Sequence, residues 1–74
     1  MAIKKVRFFE TSNLEVYIHY LILEGIEWEE WNNFDEVEIR IEINKVKNKK
    51  SLADILNITE NQLRYCDYII LKYG

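Results

Sequence analysis

The sequence contains no proline, and glycine occurs only at positions 25 and 74. Proline-rich spacers and Gly/Ser linkers are therefore not available, compositional disorder is not indicated, and one folded unit spanning residues 1–74 is expected. Cys66 is the single cysteine and His19 the single histidine. The first cannot form an intramolecular disulfide, and its place among apolar residues suits a small buried hydrophobe. The second would have to carry any histidine-based metal site or Ser-His-Asp arrangement alone, the latter with Ser12 or Ser51. No glycine-flanked nucleophile turn or phosphate-cradling loop accompanies it. No catalytic residue, metal or cofactor is expected, and the adjacent acids Glu29 and Glu30 suit a solvated surface better than acid-base chemistry. Long hydrophobic runs are also missing. The longest, Val16 to Leu23, falls well short of the roughly 20 residues that cross a bilayer, and Lys4, Lys5 and Arg7 interrupt the N-terminal apolar residues where a secretion signal needs its core. The expectation is a cytoplasmic protein without membrane contact.

With 74 residues, the chain can bury only about 60% of its unfolded surface, so a deep pocket is not expected. Charge is uneven. Residues 1–43 hold four basic and ten acidic side chains, residues 44–74 six basic and three acidic. The acids are densest from Glu24 to Glu42, and the basic part opens with Lys45, Lys47, Lys49 and Lys50. One region repels phosphate and the other attracts it.

The first half reads as strand. Residues 3–9 and 14–23 are rich in β-branched and aromatic side chains, and Thr11-Ser12-Asn13 can form a three-residue hairpin that pairs Glu10 with Leu14 and gathers Val6, Phe8, Val16, Ile18, Tyr20 and Ile22 on one face. A competing reading makes Ser12 an N-cap and Gly25 a C-terminal cap, giving a helix from Asn13 to Glu24. Residues 26–31 mix periods and form a further short strand if extended, with Asn32-Asn33 as the break. Residues 36–44 alternate cleanly, Val37, Ile39, Ile41 and Ile43 against Glu36, Glu38, Arg40 and Glu42, as a strand buried on one face does.

Two helices follow. Ser51 with Asp54, and Thr59 with Gln62, each have capping-box spacing. Helices over about 52–57 and 60–73 are expected, the second with Leu63, Cys66, Ile70 and Tyr73 on one face. The expected fold is α+β: a small antiparallel sheet of three or four strands packed by two C-terminal helices.

Two functional readings arise. Leu52-Ala53, Leu56, Asn57, Ile58, Leu63 and Cys66 resemble the helix-turn-helix of DNA-binding regulators, with Asn57 at a turn position usually held by Gly. The resemblance implies that Thr59, Asn61, Arg64, Tyr65 and Tyr68 lie on the exposed side of a recognition helix in the major groove, with Lys47, Lys49 and Lys50 supplying phosphate contacts. The first-ranked reading starts from the acidic stretch instead. Trp28 and Trp31 sit among Glu27, Glu29, Glu30, Asp35 and Glu36, and an aromatic anchor in a charged rim is the composition of a protein-binding hot spot. Its partner is a protein with a basic surface. In gross form the chain is similar to the small acidic inhibitors made by phages and other mobile elements, some of which occupy nucleic-acid sites on anti-phage nucleases.

Overall fold

The computed structural model describes residues 5–33 and 36–73. The chain runs through β1 (Val6–Thr11), α1 (Leu14–Leu23), β2 (Glu29–Asn33), β3 (Glu36–Glu42), one 3-10 turn (Ile43–Lys45), α2 (Lys49–Leu56), α3 (Glu60–Arg64) and β4 (Tyr68–Tyr73). The four strands form one sheet in the order β1-β4-β3-β2. The fold is α+β, and two C-terminal helices pack on a four-stranded sheet as expected. The sheet is mixed, however, not antiparallel: β1 runs parallel to β4, while β4 with β3 and β3 with β2 are antiparallel.

The alternating residues of β3 organise the core. Ile39 and Ile41 are fully buried and Ile43 nearly so, joined by Ile69 and Leu71 of β4 and by Leu21, Leu52, Ala53, Leu56 and Leu63 of the helices. Val37 is half-buried. The strand stops at Glu42 because Ile43 turns into the 3-10 segment, keeping its side chain in the core and donating its backbone N–H to the Asp67 carbonyl at 3.0 Å.

Residues 14–23 are a helix, not the second strand of a hairpin. The Asn13 side chain caps the N-terminus by accepting from the Val16 N–H at 3.4 Å. Leu14, Tyr17, Ile18 and Leu21, at helical spacing, form the face that packs on the core, so a tertiary partner decides between the strand propensity and the caps. The C-terminus closes as a Schellman motif: Gly25, at φ +67°, donates to the Ile22 carbonyl at 3.1 Å and Ile26 to the Leu21 carbonyl at 2.9 Å. Thr11-Ser12-Asn13 thus joins strand to helix. Ile26 is buried beside the helix end, and the strand expected over 26–31 starts at Glu29 and continues through Asn32, which pairs with Val37.

The helix expected over 60–73 is two elements. The capping box at Thr59 is present, with Thr59 Oγ1 accepting from the Gln62 N–H at 3.1 Å and the Thr59 N–H donating to Gln62 Oε1 at 2.9 Å. The helix it starts ends at Arg64. Asp67 then ties the chain to the start of β1: its carboxylate accepts from the Lys5 N–H at 2.9 Å and its own N–H donates to the Lys5 carbonyl at 2.7 Å. From Tyr68 the chain is the central strand β4, whose Ile69, Ile70 and Leu71 are all buried. Even on the face away from the helices Ile70 is buried, between Phe8 and Arg40 of the neighbouring strands, so Ile69-Ile70-Leu71 reads as a continuous apolar run without a two-residue period, and the helical spacing of Cys66, Ile70 and Tyr73 is coincidental. At α2 the N-cap is Asn48, accepting from the Ser51 N–H at 3.2 Å, so Ser51 lies inside the helix. Asn57 occupies the left-handed region at φ 58° and ends α2 with a second Schellman pair, Asn57 to Asp54 at 3.2 Å and Ile58 to Ala53 at 3.0 Å.

Candidate functional site

Strand register assigns each side chain to a face of the sheet. Ile39, Ile41, Ile69 and Leu71 point to the helices, so their neighbours point to the other side, on which no described helix packs. There β1 contributes Val6, Phe8 and Glu10, opposite Tyr68, Ile70 and Lys72 of β4. These in turn lie opposite Glu42, Arg40 and Glu38 of β3. Glu29 and Trp31 of β2 complete the rows beside Arg40 and Glu38.

This open face is held by polar and cation-π contacts. Arg40 bonds Glu38 at 3.2 Å, and Lys72 pairs with the same carboxylate at 3.6 Å. The Arg40 guanidinium lies 4.1 Å from the centre of the Trp31 ring, and Lys72 Nζ lies 4.8 Å from that of Phe8. Trp31 Nε1 donates to Glu29 at 3.2 Å, and the Tyr68 hydroxyl donates to Glu42 at 2.9 Å. Trp31 is nevertheless 48% exposed and Phe8 56%. A shallow hollow bounded by Val6, Glu29, Trp31, Arg40, Tyr68 and Ile70 lies between them. Glu10, Glu29, Glu36, Glu38 and Glu42 outnumber Arg40 and Lys72 on this face, so it favours cations over phosphates.

The expected acidic-aromatic set is divided by the fold. Trp28 is half-buried against the core, so its indole is mainly structural. Trp31 is the exposed one, with Glu29 beside it. Glu30, one residue on, points to the opposite side of edge strand β2, where it remains exposed. Glu27 and Glu36 are exposed, and Asp35 lies outside the described residues. Phe8, Tyr68 and Ile70 belong to this face too. Phe8 and Ile70 are absent from both expected sites, and Tyr68 is expected on a recognition helix instead, because Tyr68–Tyr73 reads as helix; its β-branched and aromatic run is the signal for a strand.

The DNA-binding set is divided as well. The apolar residues of the helix-turn-helix resemblance do pack: Leu52, Ala53, Leu56, Leu63 and Cys66 are buried and Ile58 partly so. Thr59 is the α3 cap. Asn61, Arg64 and Tyr65 are exposed around a helix of five residues. Arg64 pairs with Glu60 at 2.6 Å, and Lys5 Nζ stacks 3.5 Å above the Tyr65 ring. Tyr68 is on the open sheet face instead. Lys47 and Lys50 are exposed near the start of α2, and Lys49 Nζ donates to the Val46 carbonyl at 3.0 Å.

Among the described residues no group of three or more His, Cys, Asp or Glu side chains is placed to hold a metal ion, and no helix is long and apolar enough to cross a membrane. No protein-family model, curated protein or solved structure matches the chain.

Proposed function

We propose that the protein is a small non-enzymatic binding module whose open sheet face, centred on Trp31, docks on a basic surface of another protein. The observation that carries this reading is the state of Trp31: half-exposed, yet held from two sides by Arg40 and Glu29. An aromatic side chain fixed before binding loses little rotamer freedom on docking, and large rigid aromatics are what interface hot spots are made of. The surrounding carboxylates supply the steering charge. Nucleic-acid-handling proteins offer basic surfaces of the required kind, and occupying such a surface would make the chain an inhibitor, as the phage and mobile-element proteins of similar size and charge are. The kinetics of complex formation separate the two contributions. Glu29→Gln should mainly slow association and reduce its sensitivity to salt, whereas Trp31→Ala should mainly speed dissociation. An association rate with unchanged salt dependence in Glu29→Gln would remove the steering role.

The second reading, DNA binding through α3, draws on the buried helix-turn-helix anchors and the exposed Asn61, Arg64 and Tyr65. A five-residue helix offers fewer than two turns to a major groove, which places this reading second. Its test is a duplex titration at low salt, in which Arg64→Ala weakens a specific sequence and Lys50→Ala weakens all duplexes alike.

A further inference from the structure

Strand β1 is one edge of the sheet, bonded to β4 alone, and its six residues pair in unbroken register without proline or bulge. The direction of its main-chain groups follows from one bond. The Lys5 carbonyl accepts from the Tyr68 N–H at 3.2 Å, and along a parallel ladder successive residues alternate in pointing both groups toward the partner strand or away from it. Lys5, Arg7 and Phe9 therefore face β4, and the N–H and carbonyl groups of Val6, Phe8 and Glu10 point outward. No described strand takes them up. The side chains alternate in the other direction. Val6 and Phe8 lie on the open face, 38% and 56% exposed, whereas Arg7, opposite Ile69, lies on the helix side. There the edge borders a shallow hollow, with Lys5 and Arg7 on one wall and Asn61, Gln62 and Tyr65 on the other. Among the described residues no carboxylate lines it.

We propose that β1 accepts a fifth strand: an extended segment of a partner protein, antiparallel to it, with acidic side chains on the helix side and apolar ones on the open side. This is a second site, on the opposite sheet edge from Trp31. An exposed edge is a template for strand addition, in which main-chain bonds give affinity and alternate side-chain positions give selectivity. Charge fixes the pattern on the helix side. Residues opposite Lys5 and Arg7 meet two cations, with Lys5 Nζ held 3.5 Å above the Tyr65 ring. Residues opposite Val6 and Phe8 meet apolar side chains, and the one opposite Glu10 meets a carboxylate. From its N-terminus the segment reads Lys-Thr-Val-Glu-Ile-Glu, or residues of the same classes, with Lys opposite Glu10 and the last Glu opposite Lys5. At the other edge, Glu29 and Glu30 of β2 repel such a segment. Single-stranded nucleic acid, also anionic, fits less well: its backbone has no N–H for the outward carbonyls, and Lys5 already covers one face of the ring on which a base would stack.

That hexapeptide, blocked at both ends and fluorescently labelled, is the probe, titrated at low salt with the full chain and read by anisotropy. The expected result is saturable binding with slowed amide exchange at Val6, Phe8 and Glu10, and none at Arg7 and Phe9, whose N–H groups β4 already bonds. N-methylation of the peptide's Val and Ile, whose N–H groups face β1, weakens binding about tenfold or more, and N-methylation of its Thr and first Glu, whose N–H groups face away, does so far less. Arg7→Glu weakens binding about tenfold, and Lys in place of the peptide's first Glu restores it. Arg7 is exposed, so folding is retained; should that variant melt early, the peptide variants decide on the unaltered chain. No binding up to about 1 mM peptide, equal losses from the two N-methylated forms, or binding without slowed exchange at Val6 and Phe8 overturns the inference. Oligothymidylate that binds where the peptide does not, and is lost on Tyr65→Ala, overturns it too and assigns the hollow to nucleic acid. Trp31→Ala leaves peptide binding unchanged, so this site and the Trp31 reading fail separately.

Discussion

Arg40 and Trp31 sit on neighbouring strands, and the guanidinium of the first lies 4.1 Å from the ring centre of the second while also bonding Glu38 at 3.2 Å. The contact joins an internal strand to an exposed aromatic on the sheet edge. Removing the cation should therefore release the indole without removing it. In a Trp28→Phe background, Arg40→Ala is expected to raise the mobility of Trp31, read as lower steady-state fluorescence anisotropy, with stability lowered by about 1 kcal/mol, as is usual for a partly exposed cation-π contact. Anisotropy equal to the parent's would mean that Arg40 does not hold the ring.

Coverage of the sheet on one side only can be tested by placing the same charge on each side. Ile41 is fully buried beneath the helices and Phe8 is 56% exposed on the open face. Ile41→Glu is expected to remove several kcal/mol, most of the stability of a small domain, whereas Phe8→Glu should remain within about 1 kcal/mol of wild type. Urea denaturation of both variants reads the difference. Equal losses would contradict an open face.

The helix ends give a third set of expectations. Asn48→Ala should lower stability by about 1 kcal/mol through loss of the α2 cap, and Ser51→Ala should change it by only a few tenths. Gly25→Ala should cost about 1–2 kcal/mol although open space surrounds the position, because the penalty lies in its positive φ. Thermal unfolding compares all three. A larger loss at Ser51 than at Asn48 would move the cap back to the hydroxyl.

The parts legible in the sequence are those whose causes are local. The Thr59 box is closed by residues three apart, and the alternation in β3 follows from one buried face; both are found as expected. Leu14–Leu23 is ambiguous because its strand-forming residues compete with caps read at Ser12 and Gly25, and packing of Leu21 on the core decides; the N-cap proves to be Asn13, one residue on. β4 reads as helix because, as an internal strand, it keeps Ile70 buried between its neighbours even on the open face, and the two-residue period is lost. With β4 hidden, the parallel pairing with β1 and the grouping of Phe8, Tyr68 and Trp31 could not be seen. Trp28 and Trp31, three residues apart in sequence, differ in burial because β2 begins between them.

Capture from cell extract tests most directly whether Trp31 anchors a basic protein. Immobilised wild-type chain and Trp31→Ala, each first shown to melt cooperatively at similar temperatures, are exposed to the same extract at low salt and then washed with high salt. The expected result is a basic protein that the wild type retains, that salt elutes, and that Trp31→Ala does not hold. Retention of that protein by Trp31→Ala to the same extent, with loss on Arg64→Ala instead, would contradict the open sheet face as the binding site.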